Sequence, residues 1–360
     1  MALQQNNRVC LVPRLQGVGG MVSFQHKLAA GLEKRGLQVS YDLRDQPYAA
    51  VLVIGGTRSL GALWQARRRG VRVVQRLDGM NWLHRLPPQE GKARPSLRHY
   101  LRSEYGNWLL ALIRARLADH IVYQSGFSQS WWERARGVAP VSSQVIYNGV
   151  DLDSYSPDGP HNRPLDAYRL LLVEGSLMGG YELGLSVAVQ LVNALAARLK
   201  EPGDFPGGIN QVELMVVGRV SEQVKNSWDS RAIAPVHWAG LAPRERIPGL
   251  DRSAHLLYSA DINAACPNAV IEALACGLPV LAFDTGALPE MVTGEAGRIV
   301  PYGGDPWQLD PPDIPALVQA ALQVLAGQPR FRKAARQRAE AVFGLDQMVE
   351  AYLDALLGGG

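Results

Sequence analysis

The alternation of short apolar runs with longer amphipathic stretches constrains this chain most strongly. Runs rich in Val, Ile and Leu predict strands, and stretches whose apolar residues recur every three to four positions predict helices. Strands that alternate with helices of this length typically form βαβ units, so the pattern predicts doubly wound parallel sheets. In the first half we predict strands at Arg8–Pro13, Gln38–Asp42, Ala49–Ile54, Val71–Leu77, His120–Gln124 and Gln144–Tyr147, and helices at Val22–Arg35, Leu60–Arg69, Leu97–Leu117 and Ser128–Arg136.

The second half repeats the pattern. We predict strands at Arg169–Val173, Glu213–Val217, Val236–Trp238, Ile262–Ala265, Pro279–Phe283 and Arg298–Val300, and helices at Leu183–Leu199, Pro243–Leu250, Ala269–Ala275, Ile314–Ala326 and Leu345–Leu357. Pro and Gly are dense in two segments, 155–164 and 201–208. We interpret the second as an exposed loop and place a domain boundary in the first. The predicted domains are 1–160 and 161–344, followed by a separate helical segment, 345–360.

Cysteine usage and the N-terminus indicate a reducing compartment. Cys10, Cys266 and Cys276 show no CxxC spacing, which argues against a disulfide framework and against a thiolate metal site. The first residues lack the features of a signal peptide, and no apolar run approaches the ~20 residues that cross a bilayer. We therefore expect a location in the cytoplasm or at the inner membrane surface.

Positive charge is concentrated in the first 160 residues, which hold 21 Lys and Arg against 11 Asp and Glu. A basic surface of this kind is typical of proteins that contact anionic lipid, nucleic acid or an acidic substrate, and it is also common as a solvated face. No nucleic-acid-binding module accompanies the charge, so nucleic acid is not an expected partner. The cluster, with Trp108 beside it, comprises Arg67, Arg68, Arg69, Lys92, Arg94, Arg98, Arg102, Arg114 and Arg116.

A strand, a tight Pro-Asn turn and a short helix follow one another in segment 263–282. Free backbone N–H groups at the start of such a helix favour an anion, so Asn268, Ala269 and Val270 predict a phosphate site. Glu272 lies one turn further on, where its carboxylate can accept hydrogen bonds from two ribose hydroxyls. The alternative is an ordinary strand and helix unit in which Glu272 faces solvent.

Three segments, Pro267–Val280, Asp284–Glu290 and Ile146–Asp151, resemble the retaining glycosyltransferases of family 4. The resemblance implies a GT-B fold, in which two Rossmann-like domains face a cleft and the C-terminal helix packs back toward the first domain. It also implies transfer of a sugar from a nucleoside-diphosphate sugar to a hydroxyl acceptor, glycan or lipid-linked. The configuration of the sugar is retained, the product belongs to polysaccharide, glycolipid or cell-envelope glycan synthesis, and neither a metal nor a further cofactor is needed.

The resemblance assigns the acceptor to the first domain and the donor mainly to the second. Asp78 and Glu272 are the catalytic candidates, although Asp78 is equally consistent with a cap on the turn at Gly79 or an ion pair with Arg76. Arg219 is also explained as an exposed loop residue, and Glu290 as a charge at a helix N-terminus. The donor-binding candidates are Gly19, Gly20, Gly175, Ser176, Arg219, Gly240, Leu241, Asn268, Ala269, Val270, Glu272 and Glu290.

The sequence departs from the family pattern at two places. Ala264 stands where the family has the first Glu of a Glu-x7-Glu motif, so sugar recognition shifts to other groups such as Asn263 or Asn268. Segment 174–182 lacks the Arg and Lys that the family places on the donor diphosphate. A second hypothesis is therefore a GT-B protein that binds a nucleotide sugar with weak or no turnover. An epimerase or a phosphorylase of this architecture lacks its expected sequence pattern here.

Overall fold

The computed structural model describes residues 7–17, 19–87, 96–177, 182–200 and 209–358. The chain forms two compact units. The first comprises Met1–Gly149 together with Leu345–Gly360, and the second comprises Val150–Gly344. Within the described ranges, no helix is long and apolar enough to cross a membrane.

A six-stranded parallel sheet forms the core of the first unit, with strand order β2-β1-β3-β4-β5-β6. The apolar runs become its strands because helices cover both faces of a parallel sheet. The strands are β1 (Arg8–Val12), β2 (Gln38–Ser40), β3 (Ala50–Ile54), β4 (Arg72–Leu77), β5 (His120–Tyr123) and β6 (Ser143–Val145). The helices between them are α1 (Gly20–Lys34), α2 (Leu60–Arg68), α3 (Leu97–Arg116) and α4 (Gly126–Arg136).

The second unit also contains a six-stranded parallel sheet, in the order β12-β11-β10-β7-β8-β9. Its strands are β7 (Ala167–Ser176), β8 (Gln211–Arg219), β9 (Val236–Gly240), β10 (Leu256–Tyr258), β11 (Val280–Phe283) and β12 (Gly297–Val300). Its helices are α5 (Glu182–Arg198), α6 (Glu222–Asp229), α7 (Ile247–Arg252), α8 (Asn268–Ala275), α9 (Leu288–Met291), α10 (Ile314–Ala326) and α11 (Gln328–Val342). The strand order reverses between β7 and β10, which is the position where sheets of this type bind ligands.

The C-terminal helix α12 (Leu345–Leu357) packs within the first unit. Tyr352 lies against Phe24 of α1, with ring centroids 5.1 Å apart. Arg35 pairs with Asp346 at 2.9 Å and with Glu350 at 2.6 Å. The predicted fold class is confirmed: each unit is a doubly wound parallel sheet, and the last helix returns to the first unit.

One predicted strand, Ile262–Ala265, is wrong. The strand in this region is β10, Leu256–Tyr258, whose three residues are all buried. Segment 262–265 is irregular, and Asn263 has a φ of 57°. A buried strand shows no alternation of polar and apolar residues. A run of three apolar residues therefore gives little indication of a strand.

Three helices are absent from the sequence prediction, α6, α9 and α11. In α11 only Phe331, Ala335 and Ala339 are buried, and six of its fifteen residues are charged. No residue of α6 is buried. The predicted loop at 201–208 lies outside the described residues, as do Lys92 and Arg94 of the basic cluster.

The Pro-rich segment 155–164 packs within the second unit. Arg252 Nη1 donates to the Ser156 carbonyl at 3.0 Å, and Arg336 Nη1 donates to the Tyr155 carbonyl at 2.7 Å. Tyr155 is buried. The contacts therefore divide the chain between Gly149 and Val150, before this segment begins.

Candidate functional site

The donor-binding candidates of the second unit follow the carboxyl ends of its strands. Because the strands are parallel, these ends meet at one edge of the sheet. The structure therefore brings the candidates of this unit to a single edge. They are Gly175 and Ser176 at the end of β7, Arg219 at the end of β8, Gly240 and Leu241 at the end of β9, Asn268, Ala269, Val270 and Glu272 in α8 after β10, and Glu290 in α9 after β11.

The ends of β7 and β8 approach each other closely. Ser176 is opposite Arg219 in the ladder, and the Leu177 N–H donates to the Arg219 carbonyl at 3.0 Å. Gly218 has a φ of 151°, and a Cβ atom there would lie 2.2 Å from the Glu174 carbonyl oxygen. Only glycine fits this position. The arrangement leaves Gly175, Ser176 and Arg219 exposed side by side at the sheet edge.

Helix α8 begins at Asn268, and its N-cap residue is Pro267, whose side chain makes no capping hydrogen bond. The first N–H groups of a helix have no acceptor within the helix, and the aligned peptide dipoles give this end roughly half a positive charge. The helix ends at Ala275, and its buried residues fasten it to the core of the second unit. The geometry suits an anionic group at the N-terminus.

A turn formed by residues 284–287 packs against the segment that precedes α8. A Cβ atom at Gly286 would lie 2.5 Å from the backbone N and O of Ala264, and the Ala287 N–H donates to the Ala264 carbonyl at 2.8 Å. Asn263 is 5% exposed, and its Nδ2 has no hydrogen-bond partner among the described residues. Position 264, where the family has its first Glu, therefore carries only the methyl group of Ala264. The buried amide of Asn263 is next to it in sequence.

Helix α9, which carries Glu290, is held in place by hydrogen bonds from α11. The Arg338 guanidinium donates to the Glu290 carbonyl at 2.6 Å and to the Met291 carbonyl at 3.0 Å. The Glu290 side chain is half-buried.

Glu272 lies one turn into α8 and is half-buried. Asp251 of α7 is almost fully buried, with 1% of its surface exposed. Burial raises the pKa of Asp251 well above its usual value, and the Glu272 carboxylate raises it further. The same two causes raise the pKa of Tyr155. The charge of Glu272 therefore acts on two buried groups, Asp251 and Tyr155.

Two carboxyl groups that sequence reasoning missed flank the reversal of strand order. Glu174 lies near the end of β7, and Asp261 follows the neighbouring strand β10. Burial raises the pKa of Asp261 to about 6. Burial, and next the charge of Asp261, raise the pKa of Glu174. The position of β10 reveals the pair, because Glu174 then lies near the end of one strand and Asp261 just after its neighbour.

In the first unit, the candidates also follow strand ends. Gly19 is the N-cap residue of α1, and Gly20 is the first residue of that helix. Asp78 follows β4 directly. Its backbone carbonyl accepts hydrogen bonds from Ser128 Oγ at 2.9 Å and from Trp132 Nε1 at 2.7 Å. Helix α4 therefore fixes the backbone of Asp78, while its side chain is only half-buried.

Burial raises the pKa of Asp78, and the charge of Arg76 opposes that shift. Arg76 is 1% exposed; its Nη2 donates to Asn148 Oδ1 at 2.8 Å, and its guanidinium lies 3.8 Å from the ring centroid of Phe24. The guanidinium is thus held by Asn148 and Phe24, and it acts on Asp78 through its charge. The Asp78 carboxyl accepts a hydrogen bond from its own backbone N–H.

Two family models match the chain in the order of its two units. Residues 51–154 match the model described as Glycosyltransferase Family 4, and residues 184–327 match Glycosyl transferases group 1. Together the two matches cover more than half of the sequence. The chain belongs to the family 4 glycosyltransferases. A similar curated relative is D-inositol 3-phosphate glycosyltransferase 1 of Catenulispora acidiphila, 27% identical over 323 residues that cover 83% of this chain and 70% of that protein.

Solved structures confirm the GT-B fold of this family 4 glycosyltransferase. Sucrose-phosphate synthase from Thermosynechococcus elongatus superposes with a TM-score of 0.71 at 16% identity, covering 98% of this chain and 99% of that chain. HepE of Anabaena, solved in complex with UDP and glucose, superposes with a TM-score of 0.62 at 15% identity, covering 98% and 99%.

Proposed function

We propose that the protein transfers a sugar from a nucleoside-diphosphate sugar to a hydroxyl acceptor, with the donor bound by the second unit and the acceptor by the first. The observation that carries the proposal is the N-terminus of α8 with Glu272 one turn inside it, beside the reversal of strand order in the second sheet. Membership of family 4 supports the reaction class. The UDP and glucose in the HepE structure support this donor class.

The donor diphosphate is placed against the N–H groups of Asn268, Ala269 and Val270, and the ribose hydroxyls donate to Glu272. At the end of β7, Gly175 and Ser176 let the backbone approach the phosphates. Arg219 supplies a positive charge at the same edge, where charge that develops on a leaving group needs stabilisation. Gly240 and Leu241, at the end of β9, lie beside the base, and Glu290 faces the transferred sugar.

In the first unit, Gly19 and Gly20 present backbone N–H groups at the start of α1. Asp78 orients the acceptor hydroxyl or stabilises the positive charge that develops on the sugar ring. The anomeric configuration is retained because the incoming hydroxyl attacks from the face that the diphosphate leaves. The donor phosphate takes the acceptor proton, so no metal and no side-chain nucleophile participate. The product belongs to polysaccharide, glycolipid or cell-envelope glycan synthesis, made in the cytoplasm or at the inner membrane surface.

A second candidate is a nucleotide-sugar-binding protein with weak or no turnover. Two observations favour it: the methyl group of Ala264 replaces a carboxylate, and Glu174 begins the segment, 174–182, in which the family resemblance implies an Arg and a Lys. A negative charge in this position opposes the departure of a diphosphate.

Calorimetric titration with UDP, GDP and ADP tests the donor site. We expect one of the three to bind, and binding of none would refute both candidates. Replacing Glu272→Gln should weaken binding by roughly 10- to 100-fold, because a hydrogen bond to a charged group contributes about 1.5–3 kcal/mol. Glu222→Gln, on the surface of α6, is the matched control.

Turnover separates the two candidates. The nucleotide that binds identifies the sugar conjugates to incubate with the protein, with and without hydroxyl acceptors. Release of nucleoside diphosphate that depends on the acceptor supports transfer. Tight binding without release supports the binding protein.

A further inference from the structure

Helix α3 turns an apolar face to solvent. Leu97 is 73% exposed, Leu101 59% and Trp108 49%. These residues are separated by four and seven positions, which places them on one face of the helix. Tyr100 and Tyr105, 41% and 46% exposed, border that face. Together these five residues form the outward face of α3.

The opposite side of α3 accounts for its attachment to the first unit. Leu109 and Ile113 lie in the core formed with β1, β3 and α2, and Asn107 and Arg114 are also buried. A surface helix of a globular protein normally carries apolar residues toward the core and polar residues outward. The core therefore does not explain the outward face. Contiguous exposed apolar patches usually mark an interaction site.

The charges around the outward face are positive. Arg98 and Arg102 follow Leu97 and Leu101 in sequence, and both are exposed. Glu104, the acidic residue of α3, pairs with Arg85 at 2.6 Å and with His84 at 2.8 Å, and these two partners lower its pKa to about 2. Its charge is thereby compensated within the protein.

Two other arginines of the basic cluster are already engaged. Arg67 pairs with Asp119 at 2.7 Å, and buried Arg114 donates to the Tyr123 hydroxyl at 2.9 Å. Among the described residues, Arg98 and Arg102 of α3 adjoin the outward face and are both exposed.

We propose that the outward face of α3 docks on an anionic lipid surface. Leu97, Leu101 and Trp108 enter the boundary between head groups and acyl chains, and Arg98 and Arg102 contact lipid phosphates. Trp and Tyr prefer this interfacial depth, and Tyr105 and Trp108 are already stacked, with ring centroids 5.8 Å apart. Leucine and tryptophan with adjacent arginines are typical of helices that lie in the membrane interface. The docking goes beyond the proposed sugar transfer and does not depend on it.

Flotation of the full-length protein with vesicles tests the docking, without nucleotide or sugar. Vesicles of phosphatidylcholine with one quarter phosphatidylglycerol are compared with pure phosphatidylcholine. We expect binding to the anionic vesicles, weakened by salt. Arg98→Gln with Arg102→Gln should weaken it by roughly 30-fold, because each basic residue near such a surface contributes about 1 kcal/mol.

The apolar contribution is tested by Leu101→Gln with Trp108→Gln. Both side chains are exposed, so the fold should tolerate the change, and circular dichroism checks it. We expect at least a tenfold loss of vesicle binding. Leu165→Gln is the matched control, since Leu165 is 90% exposed in the second unit, and it should bind as the unaltered protein does.

Three outcomes would overturn the proposal. The first is no binding to anionic vesicles, and the second is equal binding by the Leu101 and Trp108 variant. The third is a dimer in light scattering that this variant converts to a monomer, because the outward face would then be covered by a second copy. Nucleotide titration uses no vesicles. A negative result in the flotation experiment therefore does not contradict the proposed sugar transfer.

Discussion

Glu174 lies near the end of β7 and Asp261 follows the neighbouring strand β10, and the charge of Asp261 adds to burial in raising the pKa of Glu174. Two carboxyl groups thus lie beside the reversal of strand order, where a diphosphate is proposed to bind. Their protonation links pH to both stability and nucleotide affinity.

Asp261→Asn should stabilise the protein above pH 6. Burial raises the pKa of Asp261 to about 6, whereas an unfolded Asp has a pKa near 3.9. A raised pKa contributes stability that is complete below the unfolded pKa and is lost as pH rises through 6. The melting temperature of the variant should exceed that of the unaltered protein at pH 7.5, and the gain should vanish near pH 4.

The control for this measurement is Asp166→Asn, at an exposed position. A gain of the same size in the control, or a gain at pH 4 as large as at pH 7.5, would contradict the assignment.

The double variant Glu174→Gln, Asp261→Asn should bind nucleoside diphosphate more tightly at pH 8. A unit charge ~12 Å away at an effective dielectric constant of about 20 contributes ~1.4 kcal/mol, which is roughly tenfold in affinity. At pH 5.5 the difference should shrink because Asp261, whose pKa burial raises to about 6, is then mostly neutral. Isothermal titration at both pH values measures it, and the comparison between proteins cancels the titration of the nucleotide itself. An unchanged affinity at pH 8 would place the pair away from the diphosphate.

Gly218→Ala should destabilise the second unit by about 1–3 kcal/mol, because a non-glycine residue at this φ is strained. The added methyl group also meets the Glu174 carbonyl at 2.2 Å. The ends of β7 and β8 must then separate, which should also weaken nucleotide binding. Urea denaturation and calorimetry measure the two effects. Gly175→Ala is the control for stability, since its Cβ would meet no heavy atom within 4 Å.

Asp78→Asn should lower kcat by roughly 100-fold or more, with little change in the donor KM, if the carboxylate acts on the reacting groups. The backbone at Asp78 is held through its carbonyl by Ser128 and Trp132, so the fold should survive the change. A loss of stability with unchanged kcat would instead support the capping role. Steady-state kinetics and thermal unfolding of the same preparation decide between the two.

Local sequence patterns predicted most of the secondary structure. Strands such as β3 and β11 were found because every residue in them is apolar. Strand β10 is not predicted because a run of three apolar residues is too short to distinguish a strand from other apolar segments. Helix α11 is not predicted because six of its fifteen residues are charged and only three are buried, so few residues mark its inner face.

The sequence by itself determined the βαβ alternation, the family resemblance and the short helix that carries Glu272, because these depend on neighbours in the chain. Only the tertiary structure decided which residues share an edge. Glu174 and Asp261 are 87 positions apart in sequence and become neighbours through the order of β7 and β10. Likewise, the exposure of Leu101 and Trp108 depends on which side of α3 meets the core. Strand order and helix rotation are set by packing between distant segments, and a local pattern contains neither.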